Sequence, residues 1–307
     1  GHASVLAQWD GWNVLADPIF SHRCAPVQFA GPARVRPSPV SADELPPIDA
    51  IVISHNHYDH LDLNTVVALA SRAQPTPPVW FVPLGTKAWM AEAGVSNVVE
   101  MDWAQQATLR CTRPSPAEAK LGEAAAGKAD DEAGDNQKGR RPDLVVTCLP
   151  CQHWCARTPF DRNMCLWASW HVSTHPTSVN GTDTASATAS SGSSPAHGGS
   201  NAIPNHGGSY YFAGDTGYCG SVFKNLGAAL GGIDVAALPI GAYGAPGEVW
   251  FHEPNHMNPE DAVKCRADLQ AKHAVAVHWG TFPLTSEPLL EPPKRLRAAA
   301  AAAGLAE

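Results

Sequence analysis

Short apolar runs separated by turn residues organise most of the chain. Near the start, residues 4–9 (SVLAQW) and 12–16 (WNVLA) flank Asp10-Gly11, a dipeptide typical of tight turns, and predict a β-hairpin. Comparable apolar runs bounded by turn residues predict further strands. These predicted strands span residues 50–53, 79–82, 98–101, 144–149, 166–172, 210–213, 235–240 and 274–277.

Helical signals lie between these strands. The pattern predicts helices over residues 64–73 and 259–271. The second has Asn258 as its predicted N-cap and Pro259 at its first helical position, with acidic residues following in the first turn. Many strands with interspersed helices and no internal repeat predict sheets covered by helices, which is an α/β fold.

Two segments lack any strand or helix period. Residues 113–142 are charged and rich in Ala and Gly, and residues 177–209 form a Ser/Thr/Gly/Asn tract. Such compositions cannot bury enough apolar surface to order themselves. We therefore expect a single domain over residues 1–307, interrupted by two disordered insertions in surface loops.

The composition narrows the classes of function. A net charge of −8 disfavours nucleic acid as the main partner, because phosphate backbones need clustered Lys and Arg. No stretch approaches the length of a membrane-spanning helix, and the first residues lack a signal-peptide pattern. The eight cysteines show no spacing of a disulfide framework. We expect an intracellular protein, either cytoplasmic or peripherally associated with membranes.

Residues 54–62 (SHNHYDHLD) concentrate metal-binding side chains directly after a predicted buried strand. Alternate residues of an extended segment point the same way, so His55 and His57 can reach one ion together. Asp59 and His60 follow once the chain turns and can reach a second ion. Imidazole and carboxylate are ligand types that suit zinc and similar divalent ions.

Three further candidate ligands occupy matching contexts. His153, Asp215 and His278 each lie just past the end of a predicted strand. Strand ends meet at one rim of a sheet, where α/β proteins usually build their sites. The alternative is that these are unrelated polar residues at strand ends. Seven ligand-type residues in matching contexts disfavour it and predict a metal site.

This pattern resembles the metallo-β-lactamase superfamily, and the flanking segments narrow the likeness. From about Asp17 to Pro293, outside the two insertions, the chain resembles the N-acylphosphatidylethanolamine-hydrolysing phospholipase D family. The segments that carry this resemblance are DPIFSHRCAPVQFAGPARVRPSP, LPPIDAIVISHNHYDHLD, WFVPLG, QHWCARTPFDRN, LWASW, YYFAGDTGYC, LPIGAY and HWGTFPLTSEP.

The resemblance implies an αββα sandwich with a dinuclear zinc site at the sheet edge. By the superfamily pattern, the ligands form two sets joined by a bridging Asp215: His55, His57 and His153 for one zinc ion, and Asp59, His60 and His278 for the other. Asp17, in LADP, matches an aspartate that supports the site from behind the ligands without touching metal.

The implied activity is zinc-dependent phosphodiester hydrolysis of the phospholipase D type. An N-acylphosphatidylethanolamine would give an N-acylethanolamine and phosphatidic acid by direct attack of a metal-bridging hydroxide, which Asp59 and Asp215 would orient. Another hydrolase on the same fold, such as a lactonase, is one alternative. A nuclease is disfavoured by the acidic balance. A metal-binding protein without catalysis is a third possibility.

Residues before the second predicted helix are candidates for contact with substrate. His256 aligns with a family histidine that could touch the substrate or protonate a leaving group, although an exposed histidine at a helix start is equally expected. Asn255 occupies a position where the family carries glutamine. Trp250 and Phe251 could dip into a lipid interface, but packing on the core is the favoured interpretation. The resemblance also implies peripheral membrane contact and a homodimer.

Overall fold

Two β-sheets form the centre of the protein in the computed structural model, which describes residues 1–110, 141–175 and 207–305. The predicted disordered insertions lie almost wholly outside these described residues. The first sheet has the strand order β1-β2-β3-β4-β5, and only its β1–β2 pair is antiparallel. Its strands are β1 Val5–Trp9, β2 Trp12–Ala16, β3 Ala50–Val52, β4 Val79–Pro83 and β5 Val98–Met101.

The second sheet has the order β11-β10-β9-β8-β7-β6. Strands β9, β10 and β11 run parallel to one another, and the remaining pairs are antiparallel. Its strands are β6 Gln106–Leu109, β7 Asp143–Leu149, β8 Ser169–His175, β9 Ser209–Phe212, β10 Ile233–Pro239 and β11 Ala271–Val277.

Helices cover the outer faces of both sheets. Leu69 and Met90, from the first two helices, pack with Ile51 on the outer face of the first sheet. Phe223 and Cys265 pack with Tyr211 on the outer face of the second sheet. The helices are α1 Leu63–Ser71, α2 Lys87–Glu92, α3 Gly220–Leu230, α4 Val249–His252, α5 Pro259–Asp268 and α6 Glu291–Ala302. Among the described residues, no helix is both long and apolar enough to span a bilayer.

The core between the two sheets completes the layers. Val52 and Phe81 of the first sheet are fully buried against Val146, Trp170 and Phe212 of the second. Burial of large apolar side chains on both faces of each sheet is the main stabilising contribution in such an arrangement. The predicted αββα sandwich is confirmed.

Most predicted elements are present, and the differences lie at their ends. The hairpin is confirmed, with Trp9 opposite Trp12. Asn258 caps α5 as predicted, since its side-chain oxygen accepts a hydrogen bond from Asp261 N at 2.9 Å. The prediction of helix over 259–271 was too long: α5 ends at Asp268, and Gln270, with φ of 54°, turns the chain into β11. Left-handed backbone stops a helix.

Candidate metal centre

The predicted ligands converge at one edge of the sandwich because each follows the carboxyl end of a strand. After β3, Ile53 N still bonds to Phe81 O at 3.0 Å, and the chain then leaves the sheet. Leu61 N then donates to His57 O at 2.8 Å, which closes a turn. This turn brings the candidate ligands of residues 55–60 to the same edge. His153 follows β7, Asp215 follows β9 and His278 follows β11.

Close approach of two loops at this edge requires a glycine. Gly214, directly before Asp215, has φ of +61°, a conformation that residues with a Cβ rarely adopt. A Cβ there would lie 2.5 Å from the Ser54 Cβ. The glycine thus lets the loop that carries Asp215 touch the loop that carries His55.

One group of three imidazoles lies on one side of Asp215. His55 Nε2 is 2.8 Å from His57 Nδ1, and His153 Nε2 is 3.3 Å from the same atom. Asp215 Oδ2 lies 4.0 Å from His55 Nε2 and 3.9 Å from His153 Nε2. These three histidines can therefore offer nitrogen ligands to one ion, with Asp215 at its border.

A second group surrounds the other side of Asp215. His60 Nε2 lies 3.2 Å from Asp59 Oδ2 and 3.1 Å from Asp215 Oδ2. His278 Nε2 lies 3.3 Å from Asp59 Oδ2 and 3.0 Å from Asp215 Oδ2. Four ligands held about 2.0–2.1 Å from a tetrahedral ion are about 3.3 Å apart. The observed spacing therefore fits a bound divalent ion.

Unpartnered polar atoms at this edge point to the same conclusion. His60 Nε2 and Asp215 Oδ1 are buried without a hydrogen-bond partner among the described residues. Buried polar atoms are normally satisfied, and each exception calls for an explanation. A metal ion supplies one here, and the donor set of imidazole and carboxylate suits zinc and similar ions.

The charges of the site are arranged for a cation. Burial alone would raise the pKa of Asp215, but the adjacent His278 and His60 imidazoles hold it well below the usual range. The pKa of Asp59 is likewise held well below its usual range, chiefly by His60 against the effect of burial. Burial, reinforced by neighbouring imidazoles, lowers the pKa of His55 well below its ordinary value. Ionised carboxylates and neutral imidazoles are the ligand forms.

His60 and His278 are the histidines of this cluster whose pKa values are raised rather than lowered. Burial disfavours their protonated forms, but Asp215 and Asp59 outweigh it. The pKa of His60 is raised well above its ordinary value, and that of His278 is raised to about 9. A raised pKa favours the protonated imidazole, whose proton a metal ion has to displace.

Asp17 lies fully buried behind His60. Its Oδ2 accepts a hydrogen bond from His60 Nδ1 at 2.6 Å, and its Oδ1 accepts one from Ser54 N at 2.7 Å. The Ser54 hydroxyl also donates to Oδ2. A carboxylate that binds Nδ1 fixes the tautomer of the imidazole and turns Nε2 toward the metal site. This is the arrangement expected of a supporting aspartate.

The turn that carries the ligands is held by Arg157, which the sequence analysis did not single out. Its Nη1 donates to Asn56 O and to Leu61 O, each at 2.8 Å. Its guanidinium stacks on the Tyr58 ring, 4.1 Å from the ring centroid. The clamp spans both ends of the 56–61 turn, although Arg157 is about one hundred residues away in sequence.

His256 belongs to the centre, whereas the aromatic residues of α4 are exposed. His256 Nδ1 lies 3.8 Å from Asp215 Oδ2 and is buried. Asn255 contributes its main-chain oxygen, which accepts from His153 Nδ1 at 3.0 Å, while its side chain bonds to Phe251 O. Trp250 is 77% exposed and Phe251 54% exposed. The favoured prediction that these two rings pack on the core was wrong, because the four-residue α4 presents them outward.

His2 also reaches the centre, and the sequence analysis missed it. This residue is buried, and its Nε2 lies 2.8 Å from Asp59 Oδ2. A single histidine ahead of an amphipathic strand carries no spacing signal relative to the other ligands. Its contact depends on the packing of the chain start against residues 278–282.

Comparison with known proteins defines the class and then the family. The family model described as "Beta-lactamase superfamily domain" matches residues 12–197 and 186–279. With the sandwich and its edge cluster, this match defines a metal-dependent hydrolase of that superfamily. The chain is 32% identical over 304 residues to "N-acyl-phosphatidylethanolamine-hydrolyzing phospholipase D 1" of Caenorhabditis elegans, covering 97% of this chain and 67% of the relative. The chain belongs to the N-acylphosphatidylethanolamine-hydrolysing phospholipase D family.

Two further comparisons extend this result. An uncharacterized protein of Mycobacterium tuberculosis is 38% identical over 306 residues, which cover 98% of this chain and 62% of the relative. The chain thus spans about two thirds of the length of these relatives. A solved isothiocyanate hydrolase from Delia radicum gut bacteria superposes with a TM-score of 0.57 at 16% identity, over 99% of this chain and 91% of its own. That likeness shows the fold alone.

Proposed function

We propose that this chain is a metal-dependent phosphodiesterase that hydrolyses N-acylphosphatidylethanolamine to an N-acylethanolamine and phosphatidic acid. The observation that carries the reaction type is the pair of ligand groups on either side of Asp215. Two adjacent cations are suited to an in-line displacement at phosphorus, since one ion can stabilise the attacking oxygen and the other the leaving oxygen. Family membership supports the substrate class.

The residues fit two zinc ions. His55, His57 and His153 would hold one ion, and Asp59, His60 and His278 would hold the other, with Asp215 between them. When bound, such ions supply Lewis acidity to the phosphoryl oxygens and lower the pKa of a coordinated water to about 7. No serine, cysteine or histidine nucleophile is then required, so we expect direct hydrolysis without a covalent enzyme intermediate.

The two carboxylates would orient the attacking water. Asp59 Oδ2 and Asp215 Oδ2 both lie between His60 and His278, and Asp215 Oδ1 has no partner among the described residues. An ionised carboxylate accepts a hydrogen bond from water and thereby fixes the direction of its lone pair. The water oxygen would form the new bond to phosphorus while the bond from phosphorus to the ethanolamine oxygen breaks, and the proton that the water loses would balance the one that the leaving oxygen takes up.

His256 would contact the phosphoryl group or the leaving oxygen. Burial lowers the pKa of His256 to about 4, so its imidazole is neutral near pH 7. A neutral imidazole still donates one N–H hydrogen bond. We therefore assign His256 a hydrogen-bonding role in the transition state rather than that of a cationic acid. Asn255 positions His153 through its main-chain oxygen.

The exposed face of α4 supports contact with a lipid surface. Trp250 and Phe251 project to solvent just before Asn255 and His256. Tryptophan is favoured at the boundary between water and hydrocarbon. We propose that this face helps the protein meet a lipid aggregate, whose headgroup then reaches the metal centre. A homodimer stays a prediction from the family resemblance.

Product analysis by mass spectrometry tests the function. The zinc-loaded protein is incubated with detergent-dispersed N-acylphosphatidylethanolamine, beside His57→Ala and a matched control, His273→Ala, in which an exposed histidine of β11 is replaced. We expect phosphatidic acid and N-acylethanolamine from the wild type and the control, and neither from His57→Ala. A protein that binds two zinc ions but forms no products would refute the substrate assignment. Ring opening of a soluble lactone by that protein would then favour the lactonase alternative.

A further inference from the structure

His2 is buried and packed beside the second ligand group. It is 6% exposed, and its ring centroid lies 4.2 Å from that of His278 and 5.1 Å from that of Phe282. Its Nε2 is 2.8 Å from Asp59 Oδ2. No other polar contact of the His2 ring exists among the described residues, since its Nδ1 is unpartnered.

The backbone of His2 is tied to the loop that carries His278. His2 N donates to Thr281 Oγ1 at 2.7 Å, and His2 O accepts from His278 N at 3.1 Å. The φ angle of His2 is 57°, in the left-handed region that residues with a side chain seldom adopt. Such a conformation persists only where the surroundings fix it. The ring is thus held at a set place relative to His278.

The direction of the contact with Asp59 follows from elementary chemistry. An ionised carboxylate only accepts hydrogen bonds, so His2 Nε2 must carry the proton and donate it. The accepting atom, Asp59 Oδ2, is the oxygen that lies 3.2 Å from His60 Nε2 and 3.3 Å from His278 Nε2. It is therefore the oxygen that would bind the ion, and His2 restrains that oxygen.

We propose that His2 is a positioning residue that holds Asp59 in place for the ion bound by Asp59, His60 and His278. This inference rests on the proposed metal site and is independent of the substrate. Partners of this kind typically change metal affinity by about 10–100-fold. The hydrogen bond and ring contacts of His2 in the described structure go to Asp59, His60, His278 and Phe282 and not to His55, His57 or His153, so the effect should be confined to one ion.

Zinc titration of metal-free protein against a chromogenic chelator tests the proposal. His2→Phe keeps an aromatic ring against His278 and Phe282 but removes the Nε2 donor. His2→Gln removes the ring but places an amide N–H donor at a similar distance along the side chain. We expect His2→Phe to weaken one zinc equivalent by about 10–100-fold, and His2→Gln to recover most of that loss.

Adding His2→Phe to two other variants shows which of the two zinc ions is affected. In His57→Ala, which retains the Asp59 group, adding His2→Phe should weaken the remaining zinc. In His278→Ala, which retains the other group, adding His2→Phe should leave the remaining zinc affinity unchanged. A purely structural role would instead lower the affinity of both ions and the thermal midpoint alike. That result, or wild-type zinc binding by His2→Phe, would overturn the proposal.

Direct ligation by His2 is the competing arrangement, because His2 can offer a nitrogen to the same ion as Asp59, His60 and His278. Zinc binding by His2→Gln as weak as that of His2→Phe would favour ligation and refute positioning. Nitrogen-15 NMR of the zinc-loaded wild type gives a check that needs no variant. The proposal requires a protonated Nε2 in His2, and a metal-bound Nε2 would overturn it. None of these measurements involves lipid, so failed hydrolysis would refute the proposed function alone.

Discussion

Replacing Asp17 by Asn separates the role of a supporting carboxylate from its shape. Asp17 receives hydrogen bonds on both oxygens, from Ser54 N on Oδ1 and from His60 Nδ1 on Oδ2. Asparagine has only one oxygen acceptor, and its NH₂ group donates. With its oxygen on Ser54 N, the amide presents its NH₂ group to His60 Nδ1, which must then accept instead of donate, so the charged hydrogen bond in this fully buried pocket is lost.

The magnitude follows from the loss of this charged hydrogen bond. Hydrogen bonds to charged groups contribute about 1.5–3 kcal/mol. We therefore expect Asp17→Asn to lower the free energy of unfolding by about 1.5–3 kcal/mol. Because His60 loses the acceptor that fixes its tautomer, affinity for the ion it would bind should fall by about 10–100-fold.

Asp62→Asn is the matched control. Asp62 is also buried, at the N-terminus of α1. Thr65 N and Thr65 Oγ1 both donate to the same carboxylate oxygen, Asp62 Oδ2. One amide oxygen can accept both bonds, and Asn caps helices about as well as Asp. We expect this variant to change the free energy of unfolding by less than about 0.5 kcal/mol.

Denaturant unfolding of metal-free protein and zinc titration measure the two effects separately. Equal stabilities of Asp17→Asn and Asp62→Asn would refute the reasoning about acceptors. Wild-type zinc affinity in Asp17→Asn would show that His60 is oriented without this carboxylate, even if stability fell.

Two further predictions follow from the structure. Zinc binding at pH 7 should release protons, because the pKa of His278 is raised to about 9 and that of His60 is raised in the same direction, and both imidazoles must deprotonate to coordinate. Calorimetry in buffers of different ionisation enthalpy measures this release, and a buffer-independent enthalpy would contradict it. Gly227→Ala should lower the free energy of unfolding by about 1–3 kcal/mol, because its Cβ would lie 2.3 Å from Asp268 O and separate α3 from α5. Gly247→Ala, with open space around its Cβ, should stay within about 0.5 kcal/mol of wild type in chemical denaturation, and equal losses would exclude the packing argument.

Tertiary contacts, rather than local pattern, decided several features of the site. Arg157 holds Asn56 O and Leu61 O across a long sequence separation, and no local pattern signals such a clamp. Trp250 and Phe251 have the apolar character of core residues, yet the structure exposes them on α4. Whether a short apolar pair points inward depends on how its helix is placed, which the pair itself does not specify.

The sequence by itself determined the layered fold, the family and the edge of the sheet that carries the ligand residues. These features depend on local signals, namely strands of apolar residues that are followed directly by His and Asp. Because the strand ends meet at one edge of the sheet, these side chains lie close together. The family resemblance already implied two groups of ligand residues around Asp215. Only the tertiary structure gave the distances between their atoms and brought His2 to Asp59. Those contacts join residues up to 219 positions apart. Their distances are set by the packing of two sheets and their loops, which no short stretch of sequence encodes.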